Sequence, residues 1–492
     1  MTFLAIALLW LTGFGLARYL FPAPLRWSLQ SVFLFSLATG LGISIASCLY
    51  FFSLSLAGPN PLVLAGLGAI VTASAVVLGM RAKSRGTTLD WAPGPPTPAY
   101  LTGMFLLAVA IALATFVIYS LEKPQGEWDA WSTWNLKARF LFRGGDFWRE
   151  AISGQIPNSH SDYPLLLPSV IAMGWTLARA ESTSIPIAVA FLFTFGIFGL
   201  LISSLGILRG KTQAFVAGTL VLATSAFVQL GAMQYADLPL SFYILATLAL
   251  LCLQDRFPDD LRFSIAAGLT AGFAPWTKNE GWVFLIAVLL ARPIAILRFG
   301  ARAGLGPQFL RLTAAALPPV ALAAFFKLRV TPPNNLFSQK PSDLLAHILT
   351  FGRWMLAAEA LVKMIFRLGG FLVPMVLLLA LYWYLVRFHV EAGDRQPLAT
   401  LILALGLTLA GEFFAYVLLP PDILTEINIS MERLFNQLWP AFLLTFFMAV
   451  NPPQLVSRPT HADSKTKTGD RSPKPKRRAA QQKPVHPPVR LN

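Results

Sequence analysis

The sequence predicts an all-α, polytopic membrane protein of about thirteen spans, with interfacial helices in its outer loops. Three observations lead there. Apolar runs of near-spanning length recur from residue 3 to residue 450, more than a soluble core of this size needs. The chain is 55% hydrophobic and only 13% charged. The runs are continuous rather than alternating, which argues against a β-barrel. Cys48 and Cys252 both lie inside apolar stretches and read as small core hydrophobes, not as a disulfide or metal pair.

The candidate spans are 3–20, 29–57, 61–80, 100–120, 185–208, 213–231, 238–254, 262–276, 280–297, 311–328, 370–388, 397–419 and 434–450. Residues 1–20 have no basic stretch before the apolar run and no small-residue cleavage site, so the first run reads as a retained helix. Arg81, Lys83 and Arg85 place the loop after the third span on the cytoplasmic side. Span 100–120 therefore delivers the segment 121–184 to the outside. Within that segment, 164–178 is apolar but short, and it opens with Pro164 and Pro168. If it lies in the interface, Arg209/Lys211, Arg256/Arg262, Arg292/Arg298/Arg302, Arg387/Arg395 and the basic tail all fall inside, with the N-terminus outside and the C-terminus inside.

Two outer segments are long. In 121–184, apolar residues at 131, 134, 138, 141 and 142 have helical spacing, with Lys137, Arg139 and Arg143 on other faces, as in a helix lying among headgroups. Lys137, Arg139 and Arg353 accordingly read as headgroup contacts. The segment 329–369 starts with a turn-like Thr331-Pro332-Pro333-Asn334-Asn335 and continues as an amphipathic stretch from Leu344 to Leu368. The tail 454–492 carries about ten Lys/Arg, many Pro, Ser and Thr, and about half of the formal net charge of +16. It reads as a disordered cytoplasmic tail on anionic lipid, which argues against a nucleic-acid partner.

Acids and bases at helix ends are scarce in such a chain, so their placement carries information. Asp129 follows span 100–120, Asp237 opens span 238–254, Lys278 and Glu280 sit between two spans, and Arg433 precedes the last one. The orientation above puts all of them on the outer side. Asp237 also suits the N-cap of its helix. A carboxylate can take the proton of an attacking hydroxyl, while Lys or Arg holds an anionic phosphate leaving group. Glu412, inside a span, is a further candidate. The five His show no ligand spacing, and no zinc or P-loop motif is present.

The order of these elements resembles the C-type (GT-C) superfamily of membrane glycosyltransferases, which includes protein O-mannosyltransferases and lipid A aminoarabinose transferases. The elements are Asp129 in the first large outer loop, Gly145-Asp146-Phe147, Tyr163-Pro164, Tyr235-x-Asp237-x-Pro239 and Thr277-Lys278. The resemblance covers roughly 100–453 and leaves residues 1–99 as three extra N-terminal helices. It implies transfer of a sugar from a polyprenyl-phosphate donor to a glycan, lipid or protein acceptor at the outer face of a bacterial inner membrane. It implies Asp129 as the catalytic base and Asp237, Lys278, Glu280, Arg433 and Tyr163 as substrate-binding residues. Tyr163 stands where aminoarabinose transferases carry a lysine. No cofactor is required by this reading, although Asp237 leaves a divalent cation open. A transporter or lipid flippase, and a polysaccharide polymerase or ligase, are the rival functions.

Overall fold

The computed structural model describes residues 2–22, 28–58, 60–83, 87–156, 159–333, 338–368, 373–388, 390–419 and 423–451. The tail 454–492, Asn334, Asn335 and the start of the expected span 370–388 lie outside them. The described residues form helices joined by turns and loops, with no strand among them beyond an isolated bridge between Phe388 and Val450. In chain order the α-helices are α1 (Thr2–Leu20), α2 (Leu29–Ala57), α3 (Pro61–Arg81), α4 (Ala99–Glu122), α5 (Asn135–Arg143), α6 (Leu166–Ala178), α7 (Ser184–Arg209), α8 (Lys211–Ala223) and α9 (Ser225–Ala232). They continue as α10 (Asp237–Arg256), α11 (Arg262–Thr277), α12 (Glu280–Phe299), α13 (Leu305–Arg329), α14 (Pro341–Leu349), α15 (Phe351–Arg367), α16 (Met375–Val386), α17 (Arg395–Leu418) and α18 (Ile423–Ala449).

Eight of these are long and apolar enough to cross a bilayer: α2, α3, α4, α7, α10, α12, α13 and α17. The chain is therefore a membrane protein. The expected span 213–231 is not straight. It breaks into α8 and α9, bent by 64°, and counts as a ninth crossing only if the pair is one span. At the break, Thr224 is extended, and its hydroxyl donates back to Leu220 and accepts from Trp439 Nε1 at 3.1 Å. Parts of the expected spans 3–20 and 370–388 are described as the shorter apolar helices Ile6–Leu20 and Met375–Val386, and 262–276 and 434–450 fall within α11 and α18. α11 has 16 residues, and α18 carries Glu426, Glu432 and Arg433 in its first half.

Burial separates the core of the bundle from its rim. In α10 the whole apolar window is buried, whereas in α3 and α4 only 17% is. α10 is therefore the central helix, packed by α2, α7, α11, α17 and α18, and α3 and α4 present apolar side chains outward, as lipid-facing helices do. α14 and α15 expose apolar side chains such as Leu345, Leu349, Phe351 and Met355, as expected of the amphipathic outer stretch.

α6 crosses α2 instead of running beside it. Leu165, just before it, accepts from Ser47 Oγ at 3.3 Å, while Met173, two turns later, lies beside Leu49. The helix in the segment 164–178 has 13 residues and packs mainly on α2 and α5. The basic residues after α7 and within α12 gather at the opposite end from Asp237. Arg209 pairs with Asp394 at 2.9 Å and donates to the carbonyls of Phe447 and Met448 at the end of α18. Arg292, 1% exposed, makes a two-pronged pair with Asp255 at 2.6 and 2.9 Å and donates to Gln308 and Thr400. That pair ties α10, α12, α13 and α17 together.

Removing one member of such a buried pair leaves an unpaired charge, at a typical cost of about 3–5 kcal/mol. Arg292→Met is expected to lower the melting temperature in detergent sharply, and adding Asp255→Asn is expected to restore most of the loss. A double variant no more stable than the single one would show that the pair contributes only packing.

Candidate functional site

The first outer loop is fixed against the turn before α10. Gly126 has φ +74°, and a Cβ there would lie 2.5 Å from the carbonyl oxygen of Met233, so only glycine lets the two backbones meet. The next residue, Glu127, donates its N–H to that same carbonyl at 3.2 Å. Its carboxylate pairs with Lys123 and accepts from the Tyr119 hydroxyl at 2.7 Å. The Lys123 contact holds its pKa below the usual carboxylate range. Gln234, also at positive φ, donates to the Pro124 carbonyl at 3.1 Å and accepts from Asn135 Nδ2 at 2.9 Å. Asp129 enters a single π-helical turn, Ala130–Trp134, that leads into α5. Such turns re-aim the side chains at their ends.

This seam brings Asp129 next to Asp237. Asp237 is the first residue of α10 and fully buried. Its side chain does not cap the helix, contrary to one sequence expectation, because its oxygens are taken elsewhere. Oδ1 accepts from Lys278 Nζ at 3.1 Å and from Gln437 Nε2 at 2.6 Å. Oδ2 accepts from Arg433 Nε at 3.2 Å and Nη2 at 2.9 Å. The same Nη2 lies 2.6 Å from Asp129 Oδ2, and Lys278 lies 2.6 Å from Glu280 Oε1. Arg433 stacks 4.6 Å over the ring of Tyr235. The Tyr235 hydroxyl reaches the Asp129 backbone, and burial together with the Asp129 charge pushes its pKa up to about 12.

The result is a chain of alternating charge: Asp129, Arg433, Asp237, Lys278, Glu280. It joins the first loop, α10, the break between α11 and α12, and α18. Lys278 can turn inward because it is the extended residue in that break, at φ −156° and ψ 157°. Burial alone works against its charge, but Asp237 and Glu280 outweigh it and raise the pKa above the ordinary lysine value, so the ammonium persists. At the outer edge of the chain, Asp129 keeps 17% of its side chain exposed, while Asp237 keeps none.

Tyr163 belongs to a second, adjoining cluster. Its ring stacks between Trp134 at 5.5 Å and His160 at 4.9 Å, and burial raises its pKa, with Glu280 the next cause. The turn 160–163 is clasped from two sides. Lys137 donates to the carbonyls of His160 at 2.6 Å and Tyr163 at 3.2 Å. Lys327, from the last turn of α13, donates to the Asp162 carbonyl and lies 3.2 Å from its carboxylate, which also accepts from Asn279 Nδ2 at 2.6 Å. Lys137 is thus fully buried and not a headgroup contact. Arg139 pairs with Glu181 at 3.7 Å, and Arg353 is turned inward onto the carbonyls of Val417 and Leu419 at the end of α17. For Lys137 and Arg353 the reason is the same: backbone carbonyls, of a turn for Lys137 and of a helix end for Arg353, take up the cation.

Asp129, Asp237, Lys278, Glu280 and Arg433 come together directly, and Tyr163 stands beside them. Sequence reasoning missed Gln437, Lys327 and Asn279. Gln437 lies four residues after Arg433 and so shares its helix face, a signal the sequence did carry. Glu412 in α17 is buried with Oε1 unpartnered, and Glu280 and Lys278 are the charges acting on it. Among the described residues no three His, Cys, Asp or Glu side chains gather in a way that could hold a metal ion.

Lys137 generates a prediction. Burial lowers its pKa from 10.5 to about 7, so between those values the unfolded chain holds a proton that the folded chain lacks. Stability then rises with pH across that window. The melting temperature of the wild type is expected to climb between pH 7 and 10.5 relative to Lys137→Met, and parallel curves for the two proteins would refute the assignment. In comparisons with protein-family models, curated proteins and solved structures, the chain matches none.

Proposed function

We propose that the chain is a membrane glycosyltransferase that moves a sugar from a polyprenyl-phosphate donor to an acceptor at the outer face of the inner membrane. The observation that carries this reading is the convergence of Asp129, Arg433, Asp237 and Lys278 from four separate segments onto one ion-paired chain at one end of the bundle. The accompanying topology has thirteen spans: the eight helices named above, the bent pair α8–α9, and α1, α11, α16 and α18, with the C-terminus inside.

In the reaction, an acceptor hydroxyl attacks the anomeric carbon and the bond from that carbon to the phosphate oxygen breaks. The electron pair leaves with the lipid phosphate, and the hydroxyl proton passes to Asp129, with inversion at the anomeric carbon. Arg433 and Lys278 suit the departing phosphate, one as a planar fork and one as a point charge. Asp237 serves as the anion that holds both cations in place. Glu280 tempers Lys278 from the other side, and Tyr163 offers a ring edge and hydroxyl to the sugar.

A second reading, a transporter or lipid flippase, is supported by the buried Glu412 and by the 64° break between α8 and α9. Counterflow of labelled lipid-linked sugar in proteoliposomes without covalent transfer would favour it.

Asp129→Asn keeps the size and hydrogen-bonding shape of the side chain. It is expected to leave the protein folded, with a melting temperature close to wild type, and to reduce transfer in membranes by about 10²–10⁴-fold, the usual contribution of a general base. Full activity in this variant would remove Asp129 from the chemistry.

A further inference from the structure

The three N-terminal helices are not a plain extension of the bundle, because they enclose a groove. α1 and α3 touch backbone to backbone over one half of their length. A Cβ on Gly15 would lie 2.5 Å from the Ala75 carbonyl, and one on Gly79 would lie 2.6 Å from the Gly15 carbonyl oxygen. Towards the end that carries the turn 58–60 they part. Thr12 and Thr72 close the crotch with a 2.7 Å hydroxyl hydrogen bond. Beyond it a cavity of 160 Å³ opens, with Leu8 and Leu9 on one wall, Ala65 and Gly68 on the other, and Met173 and Leu177 of α6 across them.

This cavity adjoins a second one of 480 Å³, which shares Ala65 and Leu177 with it and lies between α2, the start of α3, α5 and α6. Together they make one path, apolar at depth and polar at the mouth, where Asn60, Thr176 and Arg179 stand. Among the described residues lining the path, Arg179 is the one charged side chain. It caps the C-terminal end of α6 in the left-handed conformation, φ +56°, and is exposed. The nearest acid in sequence, Glu181, is already held by Arg143 and Arg139. No carboxylate among the described residues lies within ion-pair distance of Arg179.

We propose that this groove is a binding site for one anionic glycerophospholipid, with an acyl chain between α1, α3 and α6 and the phosphate on Arg179. Three features select that occupant. The groove opens through α3, a rim helix whose apolar window is 17% buried, so hydrocarbon is what it meets. Its deep part offers contact and no hydrogen-bond donor beyond the Thr12–Thr72 pair, which is satisfied internally. Its mouth offers a guanidinium suited to a phosphate diester and no compensating acid. The site is separate from the Asp237 cluster: none of Asp129, Asp237, Lys278, Glu280 and Arg433 lines either cavity.

The test uses the full-length protein in mild detergent, delipidated and then titrated with phosphatidylglycerol or phosphatidylcholine, with bound lipid read by native mass spectrometry. The wild type is expected to hold one phosphatidylglycerol at concentrations roughly tenfold below those needed for phosphatidylcholine, as one charge-assisted contact allows. Ala65→Trp, at an exposed wall shared by both cavities, is expected to abolish that single tight adduct for both lipids. Arg179→Gln, also at the surface, is expected to keep a bound lipid and lose the preference for the anionic one. Melting temperatures of both variants check that the fold is intact. Equal retention of phosphatidylglycerol by wild type and Ala65→Trp, or an unchanged anionic preference in Arg179→Gln, would overturn the proposal.

Discussion

A carboxylate sealed inside a helical bundle cannot stay ionised without partners, and Asp237 is sealed completely. That constraint organises the end of the bundle where it lies. Its partners come from the break between α11 and α12 and from the middle of α18, so the three helix ends are drawn to one point. The same logic recurs at the far end of the same helix, where Asp255 is held by Arg292 of α12 and Gln396 of α17. Eighteen residues, or about 27 Å of helix, separate the two acids. α10 is thus an axle pinned at both ends by charge, with its length clad in apolar side chains. In lipid, where apolar packing alone gives helices little preference for one register over another, such pins choose the register.

The pin at Asp237 extends beyond the bundle through Arg433. One guanidinium meets two carboxylates, one deep and one near the surface, and so fixes the first outer loop to the central helix. The backbone seam at Gly126 and Met233 and the amide ladder through Asn135 and Gln234 support the same juncture with uncharged contacts. Charge and backbone therefore specify one position for Asp129, which is how a loop residue gains the placement of a helix residue.

Much of this end was legible in the sequence because charge is scarce in it. Asp129, Asp237, Lys278, Glu280 and Arg433 stood out against their apolar flanks, and charge counting put them on one side. The interior was harder to read. Gln437 and Asn279 carry no charge and look like ordinary helix residues, so only their neighbours reveal them. Lys137 and Arg353 looked like headgroup contacts because periodicity tells which face a residue occupies, not what covers that face. Spans were harder to count for a related reason. Helices such as α11 and α18 lie against other helices, where polar residues find partners, and a hydropathy pattern tuned to lipid contact does not describe them. The break at Thr224 left no Pro or Gly to mark it, only a hydroxyl able to satisfy the backbone it interrupts.

On the proposed reading, the sharing of Arg433 decides when Asp129 can act as a base. As the protein stands, Asp129 is tied to Arg433, so its Oδ2 faces the guanidinium and not an incoming hydroxyl. A phosphate entering the site competes for the same guanidinium. Of the two carboxylates on Arg433, Asp237 is held as well by Lys278 and Gln437 and has no water to turn to. Asp129 has one cationic partner among the described residues and an exposed flank. The contact that yields is therefore the one to Asp129. Binding of the donor phosphate would free the Asp129 oxygen and leave the anchor intact, so the carboxylate becomes available to the acceptor hydroxyl only when there is a leaving group to expel. An arrangement in which each carboxylate had its own arginine would lack this coupling.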